Sequence, residues 1–409
     1  MGNLNRTPIS NRLHIAIFGR RNAGKSSLIN AITNQELAIV SDKPGTTTDP
    51  IYKSMEISKL GPVVIIDTAG IDDIGDLGLL RVGKSKEIIR KTDISLIVFD
   101  IENGISKYEE DIILEFKANN IPYILVGNKI DKNSKIDTIQ ETLKNSKENY
   151  IFISAKNNVN IDELKELIIE KSPKEEKETS ILGDLIDEGD TVILVTPIDN
   201  SAPKGRLILP QVQTIRDIID NNGIVNICKE ENLEKTLNNL KVKPKLVITD
   251  SQIFETVSKL VPEDIFLTSF SILFARYKGD LEELTKGAKI LKSLKSGDRV
   301  LMSEACTHHS QEDDIGRVKI PNWIREKINR DIEFTHCSGR DYPKDIDKYK
   351  LVVHCGGCML NKKEMVTRIK ESVEKNTPIV NYGIAIATLH NILDRALKPF
   401  EKIYSEWIK

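Results

Sequence analysis

Short runs of β-branched and aliphatic residues recur along this chain. Each run ends in a polar or glycine-containing loop, and the stretches between runs carry helical spacing. From Leu13 to about Lys171 the runs are HIAIFG, VVIIDTAG, ISLIVFD, YILVGNK and YIFISAK. This alternation predicts a parallel sheet flanked by helices. The stretch 172–180, SPKEEKETS, breaks the pattern: it is charged, contains Pro173 and reads as a linker. Between 181 and 261, TVILVTPI, IVNIC and KLVITD predict a smaller α/β unit. From 262 to 409 the alternation returns, with RVLMSEA, DIEFTH, KLVVH and PIVNYG as strands. The expected fold class is therefore α/β, with three domains at 1–171, 181–261 and 262–409, each a mainly parallel sheet flanked by helices.

A chain of 409 residues exceeds what one core usually organises, which agrees with several domains. The formal net charge of −2 provides no global basic field, so no nucleic-acid partner is expected. The longest apolar stretches, such as 94–99, are strand-length and far too short to span a bilayer. The polar start MGNLNRTPISNR lacks an apolar signal core, and a cytoplasmic location is expected. In such a reducing compartment, five cysteines including a CxxC favour metal or redox chemistry over a disulfide framework.

The strand HIAIF leads into GRRNAGKS, residues 19–26, which fits GxxxxGK[ST] and is followed by the helical run SSLINAIT. Backbone N–H groups around Asn22, Ala23, Gly24, Ser26 and Ser27 can cradle phosphates, with Lys25 and the helix N-terminus adding positive field. The Ser26 hydroxyl is placed to bind Mg²⁺. DTAG at 67–70 offers Asp67 to the metal shell and the Gly70 N–H to a γ-phosphate. NKID at 128–131 supplies Asn128, Lys129 and Asp131. The Asp131 carboxylate can accept from the guanine N1–H and exocyclic amine, donors that adenine does not match. Ser154, Ala155 and Lys156 follow the last strand and resemble a guanine-supporting loop. Thr46, Thr47 and Thr48 lie in KPGTTTDP, a segment suited to a switch that orders around Mg²⁺ and the γ-phosphate.

The order and spacing of these motifs resemble the Ras-like GTPase family, and the cofactors implied are GTP and Mg²⁺. Ile71 stands where many members carry a water-orienting glutamine, which implies slow intrinsic hydrolysis or help from another group. Asn22 and GTTTD resemble the potassium-activated GTPases of tRNA modification and ribosome assembly. That resemblance implies a K⁺ ion beside Asn22 and makes Thr47 the match for the Mg²⁺ threonine. Thr48 departs from it, since arginine is common there. Lys25, Thr47, Asp67 and Gly70 are the expected catalytic set. Asp72 and Asp73 read as solvated switch-loop carboxylates before they read as water-orienting groups.

Four of the five cysteines and four of the six histidines fall between Cys306 and Cys358. Cys306, His308 and His309 follow the strand RVLMSEA, and HCGGC at 354–358 closes KLVVH. Both loops leave the carboxyl edge of a parallel sheet, where ligand sites of open α/β folds form. Gly356 and Gly357 allow a tight turn that lets Cys355 and Cys358 face one centre. A CxH…HCxxC set suits a 4Fe–4S cluster with one non-cysteine ligand, or a structural zinc of the Cys₃His kind. His308, His354 and Glu312 are candidate fourth ligands or neighbours, with Glu304 and Asp313 close by in sequence. Cys337 leaves the same sheet edge but reads first as a small buried residue. Cys228 reads as core, His14 and His390 as structural histidines, and SAPKGRLILP at 201–210 as a surface turn.

With both sites in hand the whole chain resembles the HydF family, the GTPases that mature iron–iron (FeFe) hydrogenases. The resemblance rests on the GTPase motifs, EACTHH at 304–309, DDIGR at 313–317 with the following KIPNWI, HCGGC at 354–358 and NYGIAIA at 381–387. It implies GTPase, dimerisation and cluster-binding domains, and a 4Fe–4S cluster on Cys306, Cys355 and Cys358 in preference to zinc. It implies a scaffold that accepts a binuclear iron precursor made with two radical-SAM maturases and delivers it to the FeFe-hydrogenase apoprotein. The implied assembly is a homodimer or a tetramer. Cys337 lies outside the family pattern. The competing reading is an RNA-linked potassium-activated GTPase with a structural zinc site.

Overall fold

The computed structural model describes residues 8–33, 50–68, 87–132, 136–146, 148–173, 180–198, 207–305, 314–339, 342–343, 345–357 and 360–409. The chain divides into two compact units, Met1–Glu175 and Glu176–Lys409. Among the described residues no helix is long and apolar enough to cross a membrane.

The first unit is built on six strands: β1 Leu13–Phe18, β2 Ile51–Ile57, β3 Gly61–Asp67, β4 Ile94–Asp100, β5 Tyr123–Asn128 and β6 Tyr150–Ile153. Their order is β2-β3-β1-β4-β5-β6, and every pairing is parallel except β2 against β3. The central strands are buried on both faces, which explains their continuous apolar runs. Ile15, Ile17, Val63, Ile65, Leu96 and Val98 pack under the helix α1, Lys25–Thr33. Alternate residues of the same strands, among them Ala16, Phe18, Ile97 and Phe99, fill the opposite face. The parallel strands therefore all point their carboxyl ends to one edge, where the phosphate loop follows β1.

The second unit contains two four-stranded, all-parallel sheets. One has the order β10-β9-β7-β8, from β7 Thr191–Val195, β8 Ile224–Cys228, β9 Leu246–Thr249 and β10 Phe266–Ser269. The other has the order β12-β11-β13-β14, from β11 Arg299–Glu304, β12 Glu333–Ser338, β13 Leu351–His354 and β14 Ile379–Asn381. The expected α/β class with three helix-flanked, mainly parallel sheets is what the molecule has. The strand β10 lies beyond residue 261 yet pairs with β9, so the second sheet continues into the stretch that the sequence pattern assigned to the third block.

These two sheets share a single apolar core. It runs without a break from Val192 and Ile248 through Leu273 and Leu284 to Val300, Val352 and Ile384. The helix Phe270–Lys278 sits between them, buried at Phe270, Ile272, Leu273, Phe274 and Ala275. Polar ties cross with it: Asn381 Nδ2 donates to the Ser271 carbonyl at 3.0 Å, and Lys278 Nζ to the Leu360 carbonyl at 3.1 Å.

Candidate functional site

The phosphate loop is held by backbone geometry that only particular residues permit. Gly19 has φ +147° and lies so close to β4 that a Cβ would stand 2.0 Å from the Val98 carbonyl oxygen. Gly24 has φ +94°, and a Cβ there would stand 2.2 Å from Asn128 Nδ2. Asn22 adopts the left-handed region at φ +61° and is exposed. Lys25 starts α1 and is buried, with its ammonium turned back on the Gly19 and Arg20 carbonyls.

The guanine-reading loop is joined to this turn. Asn128, at the end of β5, donates through Nδ2 to the Ala23 carbonyl at 2.9 Å, and its Oδ1 accepts from the Ala155 N–H at 3.1 Å. Lys129 Nζ lies on the Asn22 carbonyl and pairs with Asp100 Oδ2 at 2.7 Å. The Ser154 hydroxyl donates to Asp131 Oδ1 at 2.6 Å, and that bond holds the Asp131 carboxyl below the usual carboxylate range. Ser154 thus leaves Asp131 ionised and aimed, as an acceptor of two guanine donors requires. Lys156 adds positive charge beside Asp131.

The metal side is built from β3 and α1. Asp67 ends β3, and its carboxylate accepts a hydrogen bond from Ser26. Burial raises the Asp67 pKa, while Lys25, Lys53 and Ser26 oppose the rise. A half-buried carboxylate beside a hydroxyl at the head of a helix is a donor set suited to a hard cation such as Mg²⁺. Thr68 fixes the strand end by donating from Oγ1 to the Ile17 carbonyl at 2.6 Å. Thr46, Thr47, Thr48, Gly70, Ile71, Asp72 and Asp73 lie outside the described residues.

Two supporting groups carried no motif. Glu109 is fully buried, accepts from the Ser106 N–H at 2.9 Å in a capping box, and pairs with Arg20 Nε at 3.0 Å. The phosphate loop is thereby anchored to the helix Lys107–Ala118; the S-x-x-E spacing at 106–109 was the signal to read. Lys53 on β2 stands near Asp67, with its ammonium buried and without a partner among the described residues.

The second site lies at the carboxyl edge of the last sheet. Ser303 of β11 is in register with His354 of β13 and with Cys337 of β12. The Cys355 N–H donates to the Ser303 carbonyl at 2.8 Å, and the Ala305 N–H donates to Cys355 Sγ at 3.1 Å. The residue before Cys306 therefore touches the thiol of Cys355. Gly357 has φ +61°, and a Cβ at Gly356 would meet nothing within 4 Å, so the turn toward Cys358 has room on one side. Cys306, His308, His309, Glu312, Asp313 and Cys358 lie outside the described residues, and among the described residues no group of three or more His, Cys, Asp or Glu is placed to hold a metal ion.

His354 is fully buried with both ring nitrogens engaged. Nδ1 is 2.7 Å from the Cys355 carbonyl and Nε2 is 3.1 Å from Arg368 Nη1. Arg368 has only donors, so Nε2 accepts and Nδ1 carries the proton. Burial, with the Arg368 charge, pushes its pKa down to about 3. In this arrangement His354 is a neighbour that holds the Cys355 backbone. Glu304 is buried, 3.4 Å from Arg317 Nε. Tyr382 has a buried hydroxyl with no partner among the described residues. Burial, then Cys355, Glu304, Asp314 and Cys337, raise its pKa far above the ordinary phenol range, so it stays a donor.

Cys337 is half-buried at this same edge. Cys228, expected in the core, is half-buried on β8, the edge strand among the described residues, and packs against the core from there. His14 is buried and bonded to the Arg12 carbonyl at 2.8 Å, a structural role as expected. His390 stacks edge-on against Trp323 and sits 2.9 Å from Glu255. Of the stretch 201–210, expected as a surface turn, 201–206 lie outside the described residues, and 209–210 begin the helix Leu209–Asp220.

A phosphate loop, an aspartate-bearing strand and a guanine-reading loop on one parallel sheet define the first unit as a P-loop GTPase domain. A 50S ribosome-binding GTPase model matches residues 14–129. The hydrogen maturase F dimerization domain matches residues 181–279, and the hydrogen maturase F tetramerization domain matches residues 282–399. The chain belongs to the hydrogen maturase F (HydF) family.

Other proteins are similar to part of the chain. The chain is 36% identical over 162 residues to the tRNA modification GTPase MnmE of Prochlorococcus marinus (strain NATL2A), covering 39% of this chain and 34% of that protein. It is 39% identical over 160 residues to the MnmE of Desulforamulus reducens, covering 38% and 34%. The chain spans about a third of the length of the curated relatives it matches. Among solved structures, Era in complex with MgGDPNP and 16S ribosomal RNA aligns at 23% identity and a TM-score of 0.37, over 54% of this chain and 94% of that one.

Proposed function

We propose that this protein is a cytoplasmic GTP-hydrolysing scaffold that holds a 4Fe–4S cluster on Cys306, Cys355 and Cys358. It accepts a binuclear iron precursor from radical-SAM maturases and delivers it to apo FeFe-hydrogenase, working as a homodimer or a tetramer. The observation that carries this reading is the Ala305–Cys355 contact at 3.1 Å, which brings the loop entering Cys306 onto the thiol that opens CxxC. The surroundings suit a sulfur-bound iron group: a thiol, a glycine turn with free space, a backbone N–H on the sulfur, and a buried phenol oxygen without a partner among the described residues. When bound, the cluster supplies an iron whose remaining position is open to exchange, which suits reversible loading of cargo.

The nucleotide site would act as follows. Gly24, Lys25 and Ser27 hold phosphates, Asp131 with Ser154 selects guanine, and Ser26, Asp67 and Thr47 hold Mg²⁺. Asn22 holds K⁺, whose charge serves in place of an arginine finger. The Gly70 N–H senses the γ-phosphate, and the switch segment passes the nucleotide state to partner exchange. His308 and Glu312 are the fourth-ligand candidates, because His354 has both nitrogens engaged.

The test has two arms. Anaerobically reconstituted protein should contain iron and sulfide and give a reduced-cluster paramagnetic signal, lost in Cys306→Ala, Cys355→Ala and Cys358→Ala; protein containing zinc and no sulfide defeats the cluster assignment. GTP with K⁺ should support hydrogenase activation better than a non-hydrolysable analogue; equal activation with both defeats the coupling. The similarity of about 160 residues of the chain to tRNA modification GTPases supports a second reading, an RNA-linked GTPase with structural zinc. That reading requires colourless protein and salt-sensitive RNA binding.

A further inference from the structure

Arg20 sits inside the phosphate loop, yet its guanidinium is bound to the protein. Nε donates to Glu109 Oε1 at 3.0 Å and Nη2 to the Gly104 carbonyl at 2.9 Å. Both acceptors belong to the stretch that follows β4 and enters the helix Lys107–Ala118. Glu109 is 0% exposed. Its other oxygen, Oε2, accepts from the Ser106 N–H at 2.9 Å and from the Ser106 hydroxyl at 2.5 Å. Capping the helix uses Oε2 alone and does not require burial. Oε1 is given entirely to Arg20. A buried ion pair adds little to stability, since desolvation offsets the attraction. What this pair does supply is a fixed position for Arg20.

The backbone of Arg20 carries the other half of the relationship. Its carbonyl accepts from Lys25 Nζ at 2.9 Å and from the Ala23 N–H at 3.3 Å, and Lys25 Nζ also lies on the Gly19 carbonyl. An ammonium has three donors, so two carbonyls fix its axis. Lysine at this place in a phosphate loop reaches the β- and γ-phosphates. Gly19 is fixed by its close approach to the Val98 carbonyl on β4. The Arg20 carbonyl is fixed through its own side chain, by Glu109 and Gly104.

The geometry points to Glu109 as a positioning residue of the nucleotide site: through Arg20 it aims the Lys25 ammonium and so sets how tightly the β-phosphate is held. The line of contact runs from Ser106 to Glu109, Arg20 and Lys25, with hydrogen bonds of 2.9, 3.0 and 2.9 Å. A displacement at the head of the helix Lys107–Ala118 is therefore felt as a change in nucleotide affinity. The role belongs to the GTPase site alone and is independent of the cluster assignment.

Glu109→Gln is the discriminating change. The carboxylate serves Ser106 and Arg20 with separate oxygens, whereas an amide has one. The Ser106 N–H takes that oxygen, and the amide NH₂ then meets the Arg20 Nε–H, donor against donor. The helix cap survives and the arginine tie is lost. Binding of GDP and of GMP is measured by calorimetry on the full chain, for unaltered protein, Glu109→Gln, Arg20→Met and the double variant, and the nucleotide-free forms are melted in parallel. GDP affinity should fall by about tenfold in each single variant and no further in the double variant. GMP, which has no β-phosphate, should bind within about twofold of the unaltered protein. Arg20 is partly exposed, so Arg20→Met reads the same tie even where Glu109→Gln fails to fold. Unchanged GDP affinity in a folded single variant overturns the proposal, as do additive losses in the double variant. Equal losses for GDP and GMP also overturn it, because the loop as a whole has then loosened. A lower melting temperature with the ratio of GDP to GMP affinity preserved makes the pair a structural brace and nothing more.

Discussion

The Asn128 side-chain amide donates to the Ala23 carbonyl at 2.9 Å, across 105 residues of sequence, and binds the guanine-reading loop to the phosphate loop. One amide nitrogen thus sets the distance between the base and the phosphates. Gly24 leaves the space that this nitrogen occupies.

Gly24→Ala is therefore expected to break that tie. The new methyl would meet Asn128 Nδ2 at 2.2 Å, and φ +94° strains any side chain. Guanine nucleotide affinity should fall by about 100-fold, equivalent to about 3 kcal/mol. Titration with a fluorescent GDP analogue reads this directly, and an affinity within a factor of three of the unaltered protein would refute it.

Asp131→Asn replaces a pure acceptor with a group that must also present donors. Guanine then faces an N–H where it needs an oxygen, whereas xanthine offers a carbonyl at that position. GTP affinity should drop by about 100-fold or more while xanthosine triphosphate gains. Competition binding with the two nucleotides separates the outcomes, and unchanged preference for GTP would place guanine selection elsewhere.

His14 ties the first unit to pH. Burial, with some help from Lys91, lowers its pKa to about 4, against 6.5 in the unfolded chain. Above 6.5 both states hold a neutral ring and the residue adds no pH dependence. As pH falls from 6.5 toward 4 the unfolded state takes up the proton first, so stability is lost, on the order of 3 kcal/mol in all. His14→Gln keeps a donor for the Arg12 carbonyl and does not titrate. Denaturant unfolding at pH 7 and pH 5, followed by nucleotide-site fluorescence, should show a smaller pH difference in the variant.

Cys355→Ala and Cys337→Ala should separate cleanly, although both residues sit at one sheet edge. Cys355 takes the Ala305 N–H on its sulfur and opens CxxC, so its loss should empty the site of iron. Cys337 lies on the outer strand β12, outside the ligand pattern, and its replacement should leave iron and sulfide content within experimental scatter. Loss of iron from both variants would make Cys337 a ligand.

The sequence pattern revealed every described strand but two, most plainly those buried on both faces, where apolar runs are continuous: β1, β4, β5, β11 and β13. Two escaped. The strand β2, IYKSMEI, is an antiparallel edge with one open face, and its polar alternation hides among loop residues. The strand β10 has four residues and runs straight into the helix Phe270–Lys278, so periodicity had no length to act on. At the sites, glycines and ligand-type residues were legible because their chemistry is local. The ties Arg20–Glu109, Asn128–Ala23 and His354–Arg368 were not, since each joins side chains whose separation in sequence carries no signal.

The two family domains meet between Gly279 and Glu282, but the apolar interior passes through that seam without interruption. Cutting the chain there would expose two greasy half-surfaces rather than free two modules, and neither fragment should stay in solution alone. The part matched by the dimerization model and the part that carries the thiols should therefore fold and unfold as one body.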